Sequence, residues 1–343
     1  MPSKTEEYLA LAQRTANGLT RYWESWTAYL TTASRLYKYP FADQLMIYAQ
    51  RPDATACADY DIWNNRMNRY VRRCSKGIAL LDESSGYPRL HYVFDVSDTG
   101  VRRNSRDPDL WQYNDDLKQP VSDALTAAYG ISHERVSQQL ADIAGKLVAD
   151  YWDNNSEDIR AIVDGSFLMD YDSAGLEMQF KSAAAISITY TLLERCGFEP
   201  DGYFDKDSFQ AIYNFSTPDT VYTLGAAVSD ISREVLRTVE RAVKTTIRRR
   251  NNERSQHEYA LFARKNADYG DVFHTSFLDE GMAMARIRLG DKLARFKNLS
   301  RSNAQMVSDE SIRDTLIDLA NYAIMTVMEL DNAEQEGTDH EDH

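Results

Sequence analysis

Glu310, Asp314 and Asp318 are spaced i, i+4, i+8. On a helix advancing 100° per residue they fall within about 80° of one another, on one face. Such a ladder can hold Mg²⁺ through carboxylate oxygens and leave coordination positions for substrate phosphates, the equipment of a nucleotide hydrolase. On the preceding helical stretch Arg288, Lys292 and Arg295 form a basic stripe, with Lys292 and Arg295 placed to neutralise a triphosphate. Lys265 and Asp268, in the run KNADYG, are further candidates. An ordinary helix start explains part of the same pattern. Ser308 serves as N-cap, Val307 and Ile312 as a hydrophobic staple, and early acids suit the helix dipole. Asp318 stands too far along the helix for that account.

Two basic features suggest a second chemistry, the recognition of phosphates. Between Tyr60 and Lys76 five basic residues (Arg66, Arg69, Arg72, Arg73, Lys76) face one acid, Asp61. Phosphate neutralisation supplies most non-specific nucleic-acid affinity, so such a focus is what a binding surface needs. Trp63, with Tyr60, Tyr70 and Tyr92, offers rings on which bases stack. The plainer alternative puts Trp63 and Tyr92 in the core and leaves the arginines as a solvated edge. The second feature is the stretch Ser229 to Arg250. As a helix it gathers Arg233, Arg237, Arg241, Lys244 and Arg248 within about 80°, opposite Ile231, Val235, Leu236, Val239, Ala242 and Val243. Arg237, Arg241 and Lys244 would then line a phosphate groove, or else form a solvated face paired with Glu234 and Glu240.

Several activities are excluded. There is no GxxxxGK[ST] phosphate loop and no HExxH; His257-Glu258 lacks a second His at the required spacing. Three cysteines (Cys57, Cys74, Cys196) lie far apart, with no CxxC pair, which fits a reducing cytoplasm better than a disulfide or zinc framework. No run of about 18 apolar residues marks a membrane span, and MPSKTEEY lacks the apolar core of a signal peptide.

These residues need elements to hold them. TEEYLALAQRTAN and LTRYWESWTAYLTTASRLY have helical apolar spacing, and FADQLMIYAQ starts a third helix after Pro40 and ends before Pro52. Gly77–Leu81 and Leu90–Val96 read as strands joined by the turn-rich DESSGYP. From Asp107 to about Asn252 the pattern is helical, with Ser132 as an expected N-cap and Gly197 as a C-terminal glycine. A third helical block, Glu253 to Leu330, is expected to break at Asp268-Tyr-Gly270 and around Leu299 to Ser308. The expectation is a mostly helical α+β protein: N-terminal helices with a small β-sheet, then all-helical middle and C-terminal blocks. Its expected divisions are 1–100, 101–252, 253–330 and a tail, 331–343. The net charge is −14, and seven acids from Glu329 onward supply half of it with no Lys or Arg among them. The tail is therefore expected to be disordered.

The segment from Phe41 to Gly100 resembles the N-terminal, single-strand-DNA-binding domain of ArdC-type antirestriction proteins. The same domain heads large methylase–helicase proteins of conjugative elements. The resemblance covers roughly residues 20–100 and rests on Trp63, Arg69, Val71, Arg72, Arg73, Lys76, Gly77 and Ile78. It departs at Asn68, where a glycine is expected. Similarity to the large conjugative proteins continues through Asp95-Val-Ser-Asp-Thr99, Arg195-Cys-Gly197 and Leu224-Gly225. The block RKNADYGDVF…GMAMARIRLGDKLARFKNL…VSDESIRDTLIDLANYAIMTVMEL resembles a small helical family associated with phage nucleotide modification, comparable in organisation to MazG-like pyrophosphohydrolases. The ExxE and ExxD pairs usual in MazG-like enzymes are not evident.

Together the resemblances imply a counter-defence protein of a phage or mobile element, of antirestriction or anti-CRISPR type. Its partner would be single-stranded nucleic acid or a host defence nuclease complex. A Mg²⁺-dependent nucleoside-triphosphate pyrophosphohydrolase and a single-strand-binding accessory of conjugative transfer are the alternatives.

Overall fold

A computed structural model describes the backbone of residues 3–82, 89–301 and 312–338, and side chains within these other than those of 201, 254, 255, 257–271, 301 and 332–338. The protein is α+β and mostly helical. Two compact units divide it, Met1–Thr246 and Ile247–His343.

The first unit opens with α1 (Lys4–Leu19), started by a capping box in which Ser3 and Glu6 satisfy each other's backbone amides. α2 (Trp23–Arg35) and α3 (Phe41–Gln50) follow, and Pro40 caps α3. Buried Gln44 joins their ends, accepting from Tyr29 Oη at 2.8 Å and donating to the Tyr39 carbonyl at 2.8 Å. A three-stranded antiparallel sheet comes next, ordered β1 (Cys57–Asp59), β4 (Arg89–Asp95), β3 (Ile78–Asp82). In register, Ile78 faces Val93 and Cys57 faces Asp95. β3 is an edge strand, and the Gln50 amide pairs with both backbone groups of Ala79 at 3.0 and 2.8 Å, which occupies part of that edge. β2 (Arg69–Val71) and β5 (Thr99–Val101) form a separate two-stranded ribbon.

The helical remainder of this unit is α4 (Lys118–Tyr129), α5 (Val136–Ala161), α6 (Ser173–Arg195) and the first part of α7 (Pro218–Glu280). One apolar core runs from Ala16 to Val243 and takes residues from α1, α2, α3, α4, α5, α6 and α7. The Leu224-Gly225 pair marks a close approach. A methyl on Gly225 would stand 2.1 Å from the Phe41 ring, which also packs edge-on against Tyr222. Gly197 ends α6 as expected. It takes φ +77°, its amide bonds the Glu194 carbonyl at 3.1 Å, and Phe198 N bonds Leu193 O at 3.0 Å, a Schellman termination. Ser132 does not start α5. The helix begins at Val136 because the Gln139 side chain holds the Ile131 carbonyl at 2.7 Å and His133 turns to pair with Asp142.

The second unit contains the last part of α7, then α8 (Met282–Arg301) and α9 (Ile312–Thr338). Phe273, Met284, Ala285 and Met325 form its buried centre. Two expectations are corrected here. α7 runs unbroken through Asp268-Tyr-Gly270 and stops at Gly281, where φ is +61°. The break belongs to the glycine, which adopts a left-handed backbone without the steric cost that most side chains meet there. α9 continues through Thr338, so residues 331–338 extend the helix instead of leaving it; the segment holds no breaker before Gly337. No helix among the described residues is long and apolar enough to cross a membrane.

Candidate nucleic-acid interface

The ribbon is organised around an arginine that is not available to a ligand. Arg69 is 7% exposed; its Nε donates to Thr99 Oγ1 at 2.8 Å and its Nη1 pairs with Asp107. Trp63 is buried too, at 2% exposure, and its Nε1 donates to the Phe94 carbonyl at 2.8 Å. No ring face is left for a base, so Trp63 is corrected from a stacking residue to the pin that holds the Ile62–Arg66 turn against β4.

Asn68 explains how the chain does without glycine before Arg69. Its φ is +52°, and asparagine is among the few residues that enter this region readily. Its amide also donates to the Arg103 carbonyl at 2.9 Å, closing the open end of the ribbon. At the other end Arg72 N bonds the Asp98 carbonyl at 2.8 Å, where Asp95 shapes the turn. Burial would raise the Asp95 carboxyl, but donors from Ser97, Ala56 and Thr55 outweigh it and hold the group below the usual carboxylate range. Asp95 thus stays charged as a structural anchor.

What the ribbon displays is cationic. Arg66, Arg72, Arg73 and Lys76 are exposed, and the fold adds Arg102, Arg103 and Arg106 from the segment that follows β5, also exposed. Among the described residues none of these seven takes part in an ion pair. Two nearby carboxylates are already engaged: the shielded Asp98 with Arg51, and the exposed Asp107 with Arg69. Tyr70 lies 43% exposed among the cations. Its ring covers Gly100, where a methyl would come within 2.3 Å, and the Arg102 guanidinium sits 5.7 Å from its centroid. Tyr60 and Tyr92 are 53% and 42% exposed. Arg102, Arg103 and Arg106 escape a sequence reading centred on Tyr60–Lys76. Their signal was the RRNSR run directly after the β5 residues, meaningful only once β5 is seen to pair with β2.

The stripe on α7 is less free. Lys244 is held by Asp109 and Glu240, both at 2.7 Å, and Arg233 by Asp230 at 2.5 Å. Arg241 bonds back to its own helix at the Arg237 carbonyl and Thr238, while Arg237 is exposed. Lys244 therefore ties α7 to the 108–112 segment. Neither buried thiol is a nucleophile at neutral pH, since burial pushes Cys57 and Cys196 up to about 12.

In the second unit the expected phosphate-binding and metal-binding residues meet each other. Lys292 Nζ lies 2.8 Å from Asp318 Oδ2, both largely shielded. Asp314 is half-buried on the same helix, and Arg295 is on α8 with Lys292. Glu310 and the side chains of Lys265 and Asp268 lie outside the described residues. Among those described, no three His, Cys, Asp or Glu side chains come together as metal ligands. Asp314 and Asp318 alone do not make the three-carboxylate site.

Residues 265–330 match the family model described as nucleotide modification associated domain 1. No curated protein and no solved structure matches the chain.

Proposed function

We propose that this protein binds single-stranded nucleic acid through the β2–β5 ribbon, and that it does so as a counter-defence factor of a phage or mobile element, of antirestriction or anti-CRISPR type. One observation carries the binding: seven exposed cations, none in an ion pair among the described residues, lie on residues 66–76 and 102–106 of a chain of net charge −14, and Arg102 sits over the exposed ring of Tyr70. The two carboxylates nearest in the ribbon are already committed, Asp98 to Arg51 and the exposed Asp107 to Arg69, so neither is spent on these cations. The likeness of residues 20–100 to ArdC-type domains supports single strands as the ligand, and the counter-defence role rests on that likeness alone. A defence nuclease complex that presents its own nucleic acid is the partner this surface would reach.

The test is fluorescence anisotropy of a labelled oligothymidylate across a salt series. Changing Arg72, Arg73 and Arg103 to Ala should weaken binding and flatten the plot of log K against log salt by about 0.7 for each phosphate no longer neutralised, roughly 2 for all three. An unchanged slope would reduce these arginines to a solvated edge.

A second reading is favoured by the family match over 265–330, which points that segment toward nucleotides. As a Mg²⁺-dependent hydrolase it would use Glu310, Asp314 and Asp318, with Lys292 and Arg295 on the phosphates. The Lys292–Asp318 pair must then open for metal. Phosphate or pyrophosphate release from a nucleoside-triphosphate panel with Mg²⁺ tests this, and no release from any of them defeats it.

A further inference from the structure

The cluster that immobilises Lys244 also encloses space. The end of α2, the chain at Thr55–Cys57, the 108–112 segment and the end of α6 surround two adjoining cavities of about 260 and 280 Å³. Arg35, Thr55, Leu110, Trp111 and Arg195 border both. The ribbon's function does not draw on this space.

Charges around it divide into two groups. The lysines are compensated: Lys38 pairs with Glu240 at 2.8 Å, and Lys244 with Glu240 and Asp109 at 2.7 Å. The arginines are held otherwise, with Glu194 bordering the cavity beside Arg195 and Glu240 acting on Arg195 through space. Arg35 donates Nε to the Ala54 carbonyl at 2.9 Å and Nη2 to that of Pro52 at 2.6 Å. Arg195 donates Nη2 to the Trp111 carbonyl at 2.7 Å and lies 3.7 Å over the Trp111 ring. Neither forms an ion pair among the described residues, and each guanidinium, with five N–H groups, keeps donors to spare. Burial already disfavours the charge on Arg195. Stacking on an aromatic face and donating to carbonyls fixes the two forks but supplies no counter-charge.

We infer that this cavity binds a phosphate monoester, with Arg195 and Arg35 as its two forks. Two guanidinium groups that make no ion pair among the described residues match a phosphate monoester, which carries about −1.5 to −2 at neutral pH, better than a single carboxylate. The size confines the ligand to a mononucleotide or something smaller. The same chemistry is presented by a free nucleotide and by the 5′-phosphate ending a strand held on the ribbon.

Calorimetric titration of the full chain distinguishes these. Inorganic phosphate and deoxyadenosine monophosphate should bind saturably, and deoxyadenosine should not. If the source is a strand end, a 5′-phosphorylated oligonucleotide should bind more tightly than its unphosphorylated twin; equal affinity of the two assigns the site to free nucleotides. Arg195→Lys, which keeps the charge and loses the fork, should raise the Kd for the monophosphate at least about tenfold. Leu110→Glu places a carboxylate on the exposed rim without touching the core and should do the same. The Arg72, Arg73, Arg103 triple alanine variant should leave phosphate binding unchanged, so failure at the ribbon and failure here are separate results. The inference is overturned if neither phosphate nor the monophosphate binds the wild-type chain, or if both bind Arg195→Lys and Leu110→Glu as well as wild type.

Discussion

Glu240→Gln should destabilise the first unit at neutral pH and lose most of that effect in acid. The carboxylate lies on α7, 8% exposed, and accepts from Tyr37 Oη at 2.7 Å, Lys38 Nζ at 2.8 Å and Lys244 Nζ at 2.7 Å. It thereby joins the end of α2 to a helix about two hundred residues later. Burial would raise its pKa, but the lysines and the tyrosine outweigh burial and bring it from 4.5 to about 2. A carboxyl whose folded pKa is depressed stabilises the protein above its unfolded pKa, and the stabilisation is lost as pH falls through the folded value. The window is therefore pH 4.5 down to about 2. The shift corresponds to a ceiling of about 3 kcal/mol. Lys38 and Lys244 are 51% and 39% exposed, and solvent screening brings the expected value nearer about 2 kcal/mol. For a unit of this size that is a melting-temperature loss of about 4–8 °C at pH 7. Thermal denaturation of both proteins at pH 7 and pH 3 measures it. By pH 3 the gap should fall to less than about half, because the unfolded wild type has by then taken up the same proton. An equal gap at both pH values would refute the reasoning, since the loss would then come from shape and not from charge.

Gly225→Ala should cost about 1–3 kcal/mol, because the added methyl meets a buried Phe41 ring at 2.1 Å and the ring has no space to retreat into; Phe41→Leu in the same chain should recover part of the loss in a chemical denaturation series. For the Lys292–Asp318 pair, a double-mutant cycle with Lys292→Met and Asp318→Leu should give a coupling of about 1 kcal/mol, and additive losses would show that the 2.8 Å ion pair contributes nothing.

Local signals predicted local structure well. The apolar spacing of residues 41–50 and the glycine at 197 marked α3 and the end of α6, because those features depend on a few neighbouring residues. Ser132 misled for the same reason: serine is a good cap wherever the chain permits, and the distant Gln139 side chain decided otherwise. The expected break at Gly270 failed because one glycine inside a helix costs only about 1 kcal/mol, which neighbouring turns absorb. Gly281 ends the helix because its backbone turns left-handed.

The site shows the limit more sharply. Residue type alone could not separate Arg69 from Arg72 or Arg73, yet the strand alternation that buries Arg69 and exposes Tyr70 reverses their roles. Trp63 was attractive because tryptophan stacks bases, but an indole N–H that finds a backbone carbonyl at 2.8 Å is equally at home in a core. Arg195 was visible only as part of an Arg-Cys-Gly string. Its ring partner, Trp111, is 84 residues away, and no spacing rule links them.

An acidic chain with seven exposed cations outside any ion pair among its described residues must pay for their mutual repulsion, and the arrangement of nearby carboxylates bears on where the offset is made. Asp98 takes Arg51 and the exposed Asp107 takes the buried Arg69, so both carboxylates are committed to arginines outside the seven and support the ribbon. Asp95 does the same through backbone and hydroxyl donors. Replacing Asp107 by Asn therefore has a different consequence from adding an acid to the ribbon's face. It leaves Arg69 short of a counter-charge and loosens β2 against β5, while the exposed cations stay as they are. A surface selected only for solubility has no reason to separate its charges in this way. On the proposed nucleic-acid reading the pairing matters, because a carboxylate left without its own arginine would cancel a cation that the ligand is to neutralise.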